Sequence, residues 1–152
     1  MKANYAVAGT AAVACCWIGL VLGVSFLATV AKFNAPSLTL PVALDVGRHT
    51  FAPLARAEWA LVLVLAASIV LGAPTPLRLA AVTAIAAILL AQALWLLPAL
   101  DARVDTIIGG GTPPPSSLHL VFVAGEAVKL LLLLALAVAA FRDLLQQTAG
   151  ST

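Results

Sequence analysis

The feature that most restricts the fold of this chain is the length of its stretches without charge. Residues 3–31 contain no charged residue over 29 positions, and residues 79–100 contain none over 22. About 20 apolar residues suffice for a helix to cross the hydrocarbon core of a bilayer. Because backbone polar groups must be hydrogen-bonded internally there, such stretches cross as α-helices. The chain is therefore expected to be an integral membrane protein.

Four spans follow from the apolar runs and the polar breaks between them. The predicted fold class is all-α, an integral membrane four-helix transmembrane bundle. Residues 1–152 are predicted to form a single transmembrane domain. The breaks place the spans near residues 10–30, 53–72, 79–100 and 118–141.

Two connecting segments carry most of the polar residues. Segment 38–52 mixes apolar and charged residues. It is predicted either to lie along the membrane interface or to extend the second span outward, with a kink at Pro53. Residues 101–117, which contain triple glycine and triple proline, are predicted to form a polar loop.

The composition agrees with a membrane location and limits the partners. Hydrophobic residues make up 63% of the chain and charged residues 9%, whereas about 25% of residues are charged in a soluble domain. Lys and Arg are scattered, and nucleic-acid binding needs a clustered basic surface, so no nucleic acid is expected. The expected partners are the lipid bilayer and other membrane-protein subunits, or the chain itself. The richness in Ala, Leu and Val is typical of a bacterial inner-membrane protein.

Four spans place both termini and the 73–78 turn on one side of the membrane, named here the terminal side. Segments 32–56 and 101–117 lie on the other, the loop side. Lys and Arg number three on the terminal side and four on the loop side, which does not decide orientation by the positive-inside rule. Because acidic residues on the loop side are expected to pair with its basic residues, the termini are predicted to be cytoplasmic, in the cell inner membrane.

The strongest functional signal lies in the fourth span. Glu126 and Lys129 are about 12–17 Å inside it at about 1.5 Å per residue, where an unpaired charge costs at least about 2.5–3.5 kcal/mol. They are three residues apart and His119 is seven residues before Glu126, so the three share one helix face. We predict an intramembrane polar face of these three residues. It is either an ion pair that fixes helix register, a path for protons, ions or a polar solute, or a docking site for a partner helix.

A second polar group lies at the outer end of the second span. Four of its residues fall within about 100° of arc if the segment is helical. It is either a solvated face, or a site for an anion or headgroup, or it pairs with acidic residues elsewhere. The predicted interfacial polar face comprises Asp45, Arg48, His49, Arg56 and Glu58.

No cofactor is expected, although one alternative involves haem. Two histidines from different helices, His49 and His119, would ligate a non-covalent haem b, since the chain has no Cys-x-x-Cys-His attachment motif. No metal site is predicted, because no ligand spacing supports one. No hydrolase, kinase or nucleotide motif is present, so no catalytic residue is predicted and no enzymatic activity is expected.

Some short stretches resemble a known group. Gly47-Arg48-His49-Thr50-Phe51 precedes a span that starts near Trp59, a later span closes on Leu97 to Asp101, and the last opens with His119. In these features the chain resembles the TMEM205-like family of small four-span membrane proteins. The resemblance implies four spans and leaves the activity open.

The leading functional hypothesis is a non-catalytic accessory or scaffold subunit of a larger membrane complex, because Ala-rich spans suit contacts between helices. The first alternative is a stand-alone oligomeric carrier or channel for protons, ions or a small polar solute. It would use the buried Glu, Lys and His face. The second alternative is a haem b electron-transfer protein.

Overall fold

A computed structural model of the chain describes the backbone of residues 2–149 and the side chains of residues 4–149. The predicted single domain also includes residues 1 and 150–152, which lie outside the described residues. The described part contains helices and no strand. Four helices are long and apolar enough to cross a membrane, and the all-α four-helix transmembrane fold is thereby confirmed. They are α1 (Asn4–Phe33), α2 (Leu40–Leu71), α3 (Pro76–Ile108) and α4 (Leu118–Ala149).

Local sequence explains where the helices begin and end. The hydroxyl of Thr75 accepts a hydrogen bond from the backbone N–H of Arg78 at 3.3 Å, and Pro76 occupies the first turn of α3. Shortly after the end of α3, Gly110 adopts a φ of 80°, a left-handed conformation that glycine tolerates best. The Ser116 hydroxyl accepts a hydrogen bond from the N–H of Leu118 at 3.2 Å, at the start of α4.

Two boundaries differ from the predicted spans. Helix α2 runs without interruption from Leu40 through Pro53, so segment 38–52 takes the second of its predicted alternatives and extends the span outward. The predicted loop at 101–117 is wrong over its first half, because α3 continues to Ile108. A charged residue ends the membrane-buried part of a helix, but it does not end the helix, which continues in water.

The helices are longer than the membrane is thick. Each has 30–33 residues, or about 45–50 Å at about 1.5 Å per residue, against about 30 Å for the hydrocarbon core. On the loop side, the turns of α2 and α3 that extend beyond the hydrocarbon core contain charged residues. Large apolar side chains such as Leu27, Leu63 and Leu131 face outward on the intervening surface, where lipid covers them.

The terminal half of the bundle is packed with apolar side chains. Trp17, Leu65, Ile85 and Leu133 are fully buried there, one from each helix. A smaller cluster of Val7, Ala11 and Ala140 continues this core along α1 and α4 towards the terminal side. At that end Arg78 and Asp143 form an ion pair of 2.8 Å between α3 and α4. In the part of the chain that the structure describes, the axis of the terminal half is therefore filled mainly by apolar side chains.

Two stretches depart from regular α-helical hydrogen bonding. Residues Leu22–Ala28 of α1 and Gln92–Leu96 of α3 form wider, π-helical turns. A π-turn adds one residue to a helix and is often found at a functional site. Both stretches lie at the level where buried polar side chains replace the apolar core.

Candidate functional site

Lys129 of α4 is the centre of a polar cluster inside the bundle. Its side chain has no exposed surface. The ammonium contacts Glu58 Oε1 of α2 at 2.6 Å and Glu126 Oε1 at 2.7 Å, and it donates to Gln92 Oε1 of α3 at 3.2 Å. An ammonium has three donor hydrogens, so these three oxygens satisfy it completely.

The two carboxylates are held by further donors. Trp17 Nε1 donates to Glu58 Oε1 at 2.9 Å, and Gln92 Nε2 donates to Glu126 Oε1 at 2.8 Å. Ser25 Oγ donates to Glu126 Oε2 at 3.3 Å. Every helix of the bundle thus contributes a side chain. We refer to the set as the buried network: Trp17, Ser25, Glu58, Gln92, Glu126 and Lys129.

Helical spacing directs these polar side chains inward. Glu58 is four residues after Leu54 and four before Val62, and all three are buried on one face of α2. Gln92 occupies the equivalent place on α3, three residues after Leu89 and four before Leu96. Residues at these spacings share a helix face, so the polar groups take positions that apolar residues occupy in neighbouring turns.

The buried network lies inside the membrane but nearer to the loop side. On α3, Gln92 is about 14 Å from Asp101 and about 21 Å from Arg78, at about 1.5 Å per residue. On α4, Lys129 is about 15 Å from His119 and about 21 Å from Asp143 by the same measure. Charged groups at this depth are costly unless they are paired, so the position argues for a defined role.

The charges in the buried network do not balance. When ionised, the Glu58 and Glu126 carboxylates carry two negative charges and Lys129 carries one positive charge. No other Lys, Arg or His forms an ion pair with these carboxylates within residues 4–149. The fully ionised network therefore has a net charge of −1.

A cavity leads from the loop side towards this network. Its volume is about 190 Å³, and side chains from all four helices line it, including Lys32, Arg48, Asp101 and His119. A second cavity of about 20 Å³ lies next to it and borders Glu58 and Gln92.

Aromatic side chains separate the two cavities. Phe51 and Phe122 line both of them. Their rings meet edge to face, with centroids 5.4 Å apart and an interplanar angle of 73°. The larger cavity therefore reaches the phenyl pair from the loop side, and the smaller cavity lies on the Glu58 side of the pair.

The predicted intramembrane polar face is divided in the structure. Glu126 and Lys129 are buried and paired, as the distances above show. His119 lies about one turn from Phe122 on the same helix, is exposed, and lines the larger cavity instead. The seven-residue spacing keeps His119 on a similar face, but it lies about 10 Å closer to the loop side than Glu126.

The placement of Glu58 in the interfacial polar face is wrong. Glu58 is 4% exposed and bonds to Lys129 in the core, whereas Arg56 is exposed. Two residues along a helix correspond to about 200°, so the two side chains point to nearly opposite faces. The stripe that Glu58 shares with Leu54 and Val62 is the sequence signal that identifies it as inward-facing.

The rest of the interfacial polar face forms a small charged group. Arg48 Nε donates to Asp45 at 2.8 Å, and the same guanidinium pairs with Asp105 of α3. His49 Nδ1 lies 2.9 Å from the backbone oxygen of Asp45. His49 is exposed, as is His119, and ligation of haem by these two imidazoles stays a prediction.

Three members of the buried network are missing from the predicted site. Gln92 had a signal, because it is the one amide side chain in the uncharged run 79–100. Trp17 had a weaker one, the spacing it shares with Ala14 and Val21. Ser25 had none, because a lone hydroxyl in an apolar helix usually bonds to its own backbone.

These features define the class of protein as a four-span membrane protein with a charged network in its core. Comparison of the chain with protein-family models, with curated proteins and with solved structures gives no match. The resemblance to the TMEM205-like family stays a prediction.

Proposed function

We propose that this protein is a membrane carrier that takes up a proton at Glu58 and moves it together with a small polar solute. The observation that carries the proposal is the charge imbalance of the buried network. A site with two carboxylates and one ammonium becomes neutral when it binds one proton. An uncompensated charge inside a membrane bundle is unfavourable by several kcal/mol, so proton binding is the least costly way to balance the site.

Hydrogen bonding distinguishes the two carboxylates. Both oxygens of Glu126 accept hydrogen bonds, from Lys129 and Gln92 at Oε1 and from Ser25 at Oε2. Glu58 accepts only at Oε1, and no described residue bonds to its Oε2. Because Glu58 also borders the small cavity, its free oxygen is the position where a proton arriving from the loop side would bind.

Protonation of Glu58 would also change how the helices attract each other. The Lys129 ammonium holds α2 through Glu58 and, in its own helix, is balanced by Glu126. When Glu58 is neutral, one ionic link between α2 and α4 is lost. A bound proton therefore favours an arrangement in which α2 and α4 are less tightly paired. The proton thus has different affinities for the two arrangements, as a coupled conformational change requires.

The closed terminal half favours a carrier over a channel. A channel needs a continuous path, and here the axial path ends at the packed core around Leu65 and Leu133. A carrier exposes its site to one side at a time, so a single state with access from the loop side is the expected structure for one half of its cycle.

Proton flux in proteoliposomes tests this proposal. A pH-sensitive dye inside the vesicles reports protons that enter under an imposed membrane potential, with a mixture of small organic acids, amines and zwitterions outside. We expect flux above that of empty vesicles, and near-complete loss in Glu58→Gln and Lys129→Met. Arg56→Gln is the matched control, because Arg56 is on the same helix but exposed. Wild-type flux equal to that of empty vesicles, or equal flux in all variants, would refute a carrier.

An accessory or scaffold subunit remains the second candidate. Among the described residues every fully buried side-chain nitrogen or oxygen has a hydrogen-bond partner, as a purely structural cluster requires. Native gel electrophoresis after extraction in mild detergent, with mass spectrometry of the bands, separates the two candidates. Migration in a large assembly with stoichiometric partners would support the subunit, and migration as a monomer or small homo-oligomer would support the carrier.

We also propose cytoplasmic termini in a bacterial inner membrane. The loop-side segments 32–56 and 101–117 contain four basic and three acidic residues, a net charge of +1, whereas the terminal side contains three basic residues and only Asp143, a net charge of +2. The larger excess of basic over acidic residues favours the cytoplasmic side for the termini. A C-terminal fusion to a reporter that is active only in the cytoplasm should therefore be active, and a reporter that is active only outside should be silent.

A further inference from the structure

The larger cavity has the size and position of a solute site. It opens at the loop end of the bundle and is lined by all four helices, so it lies on the bundle axis and not on the lipid-facing surface. Its volume is about 190 Å³, and an apolar cavity of about 150 Å³ already holds benzene. A small organic molecule therefore fits.

One positive group in this cavity has no acidic partner. Lys32 of α1 lines the cavity and forms no ion pair with any described residue; its one aromatic contact is with Phe33, 4.8 Å from the ring centroid. The ammonium lies where Gly47 of α2 has no side chain, since a Cβ built on Gly47 would be 2.6 Å from Lys32 Nζ. The missing side chain of Gly47 leaves room for the ammonium.

One negative group in the same cavity is also unpaired. Asp101 of α3 lines the cavity and forms no ion pair within the described chain. The other cation of the lining, Arg48, is already bonded to Asp45 and Asp105. The cavity thus presents one available ammonium and one available carboxylate, which are not within ion-pair distance of each other.

The remaining wall is mainly apolar. The lining includes Leu44, Phe51, Leu97, Leu100, Val104 and Phe122. Such a wall favours an apolar group on the ligand, because the burial of apolar surface away from water is favourable.

We infer that this cavity binds a small zwitterion with an apolar side chain, as in a free neutral amino acid. Its carboxylate would pair with Lys32, its ammonium with Asp101, and its side chain would lie towards Phe51 and Phe122. A simple anion would meet the uncompensated Asp101, and a simple amine would meet Lys32. The inference rests on the proposed carrier function and names its solute, but binding itself is measurable without transport.

Binding to the full-length protein in detergent tests the inference by isothermal titration calorimetry with three probes. L-leucine carries both charges, isocaproate lacks its ammonium, and isoamylamine lacks its carboxylate. We expect leucine to bind at least about tenfold more tightly than either analogue, since each analogue leaves one charged group of the cavity without a partner.

Variants identify the two charged contacts. Lys32→Met and Asp101→Asn should each weaken leucine binding about tenfold or more. Lys32→Met should also bind isoamylamine better than isocaproate, and Asp101→Asn the reverse. Arg103→Gln is the control, because Arg103 is two residues from Asp101 and does not line the cavity. A second variant of the ammonium contact, Gly47→Ala, should weaken leucine and isocaproate through displacement of the Lys32 ammonium.

The outcomes separate this inference from the proposed function. Equal binding of the three probes, or leucine binding that Lys32→Met and Asp101→Asn leave unchanged, would overturn the zwitterion site. Stabilisation of the protein by phosphatidylethanolamine in nanodiscs, with no leucine binding in detergent, would overturn the zwitterion site and indicate that the cavity binds a lipid headgroup. Leucine binding that persists in Glu58→Gln while wild-type proton flux is absent would refute the carrier and leave the site intact.

Discussion

Replacement of Lys129 by Met is the perturbation that best tests the physical account of the buried network. The side chains have similar length, but Met cannot neutralise a carboxylate. The substitution leaves Glu58 and Glu126 close together without a cation. Solvent cannot replace the ammonium, because the position of Lys129 is fully buried. Breaking a buried ion pair by removal of one partner typically destabilises a protein by about 3–5 kcal/mol. Because the Lys129 ammonium also bonds to oxygens of Glu58 and Gln92 on two other helices, we expect the upper part of that range.

The same reasoning predicts strong non-additivity. In the triple variant Glu58→Gln, Glu126→Gln and Lys129→Met, no charge remains to be compensated. A buried ion pair can often be replaced by apolar residues of similar volume without loss of stability. The triple variant likewise leaves no charge uncompensated, so it should recover most of the loss. The single variants Glu58→Gln and Glu126→Gln should differ in their free energies of unfolding, because Glu126 has a hydrogen-bond partner at each oxygen and Glu58 does not.

Equilibrium unfolding in mixed micelles, followed by circular dichroism, measures these differences. The free energies of the three single variants and the triple variant form a cycle whose coupling energy should be several kcal/mol, above the roughly 0.5–3 kcal/mol found for most contacting pairs. Arg56→Gln is the control and should unfold like the wild type. Additive changes, or a Lys129→Met variant as stable as the wild type, would show that the carboxylates do not depend on the ammonium.

Two further predictions concern the phenyl pair and the proton. Phe122→Ala should destabilise the protein by about 3–5 kcal/mol and join the two cavities, and it should raise proton flux in proteoliposomes; unchanged flux in a folded variant would contradict the route past Phe122. Infrared spectra at neutral pH should contain one band of a protonated carboxylic acid from the buried network, and this band should disappear in Glu58→Gln. A spectrum without the band would contradict the presence of the proton. A band that Glu126→Gln removes and Glu58→Gln leaves in place would assign the proton to Glu126.

Helix number and type are predictable from the sequence because they depend on properties that are local in the chain. The charge-free runs at 3–31 and 79–100 each exceed the length needed to cross a bilayer. Helix ends are harder to predict, since charged turns such as residues 101–108 lie outside the membrane but still belong to the helix. Pro53 lies inside the continuous helix α2, although proline is better tolerated in the first turn of a helix than in its interior.

The candidate site is only partly predictable because most of its contacts join different helices. Glu126 and Lys129 are three residues apart, so their pairing follows from one helix alone. The contact between Lys129 and Glu58 joins residues 71 positions apart. Periodicity shows that Glu58 and Gln92 face inward, but it does not show that they lie at the same depth as Lys129. That depth depends on how the helices are staggered, which the packed core determines.

The two π-turns lie where the helices pass from the buried network to the cavity. On α3, Leu89, Gln92 and Leu96 are buried, and Leu97 and Leu100 beyond the π-turn line the cavity. On α1, Trp17 and Val21 are buried before the π-turn, and Thr29 and Lys32 line the cavity after it. A π-turn holds one residue more than the α-helical turn that it replaces.

Deletion of one residue from the α1 π-turn should therefore leave both sites in place. Leu27 is 71% exposed and lies within Leu22–Ala28, so its removal costs little packing and restores regular α-helical hydrogen bonding. Because the wide turn gives up its extra residue, the following residues keep their faces, and Lys32 stays in the cavity. Leucine binding and the Glu58-dependent infrared band should both persist. Deletion of Val30, which lies in the α-helical turn after the π-turn, is the contrasting variant, because the following residues turn by about 100° and leucine binding should be lost. Loss of leucine binding in the Leu27 deletion as well would show that the π-turn does not accommodate an extra residue of α1.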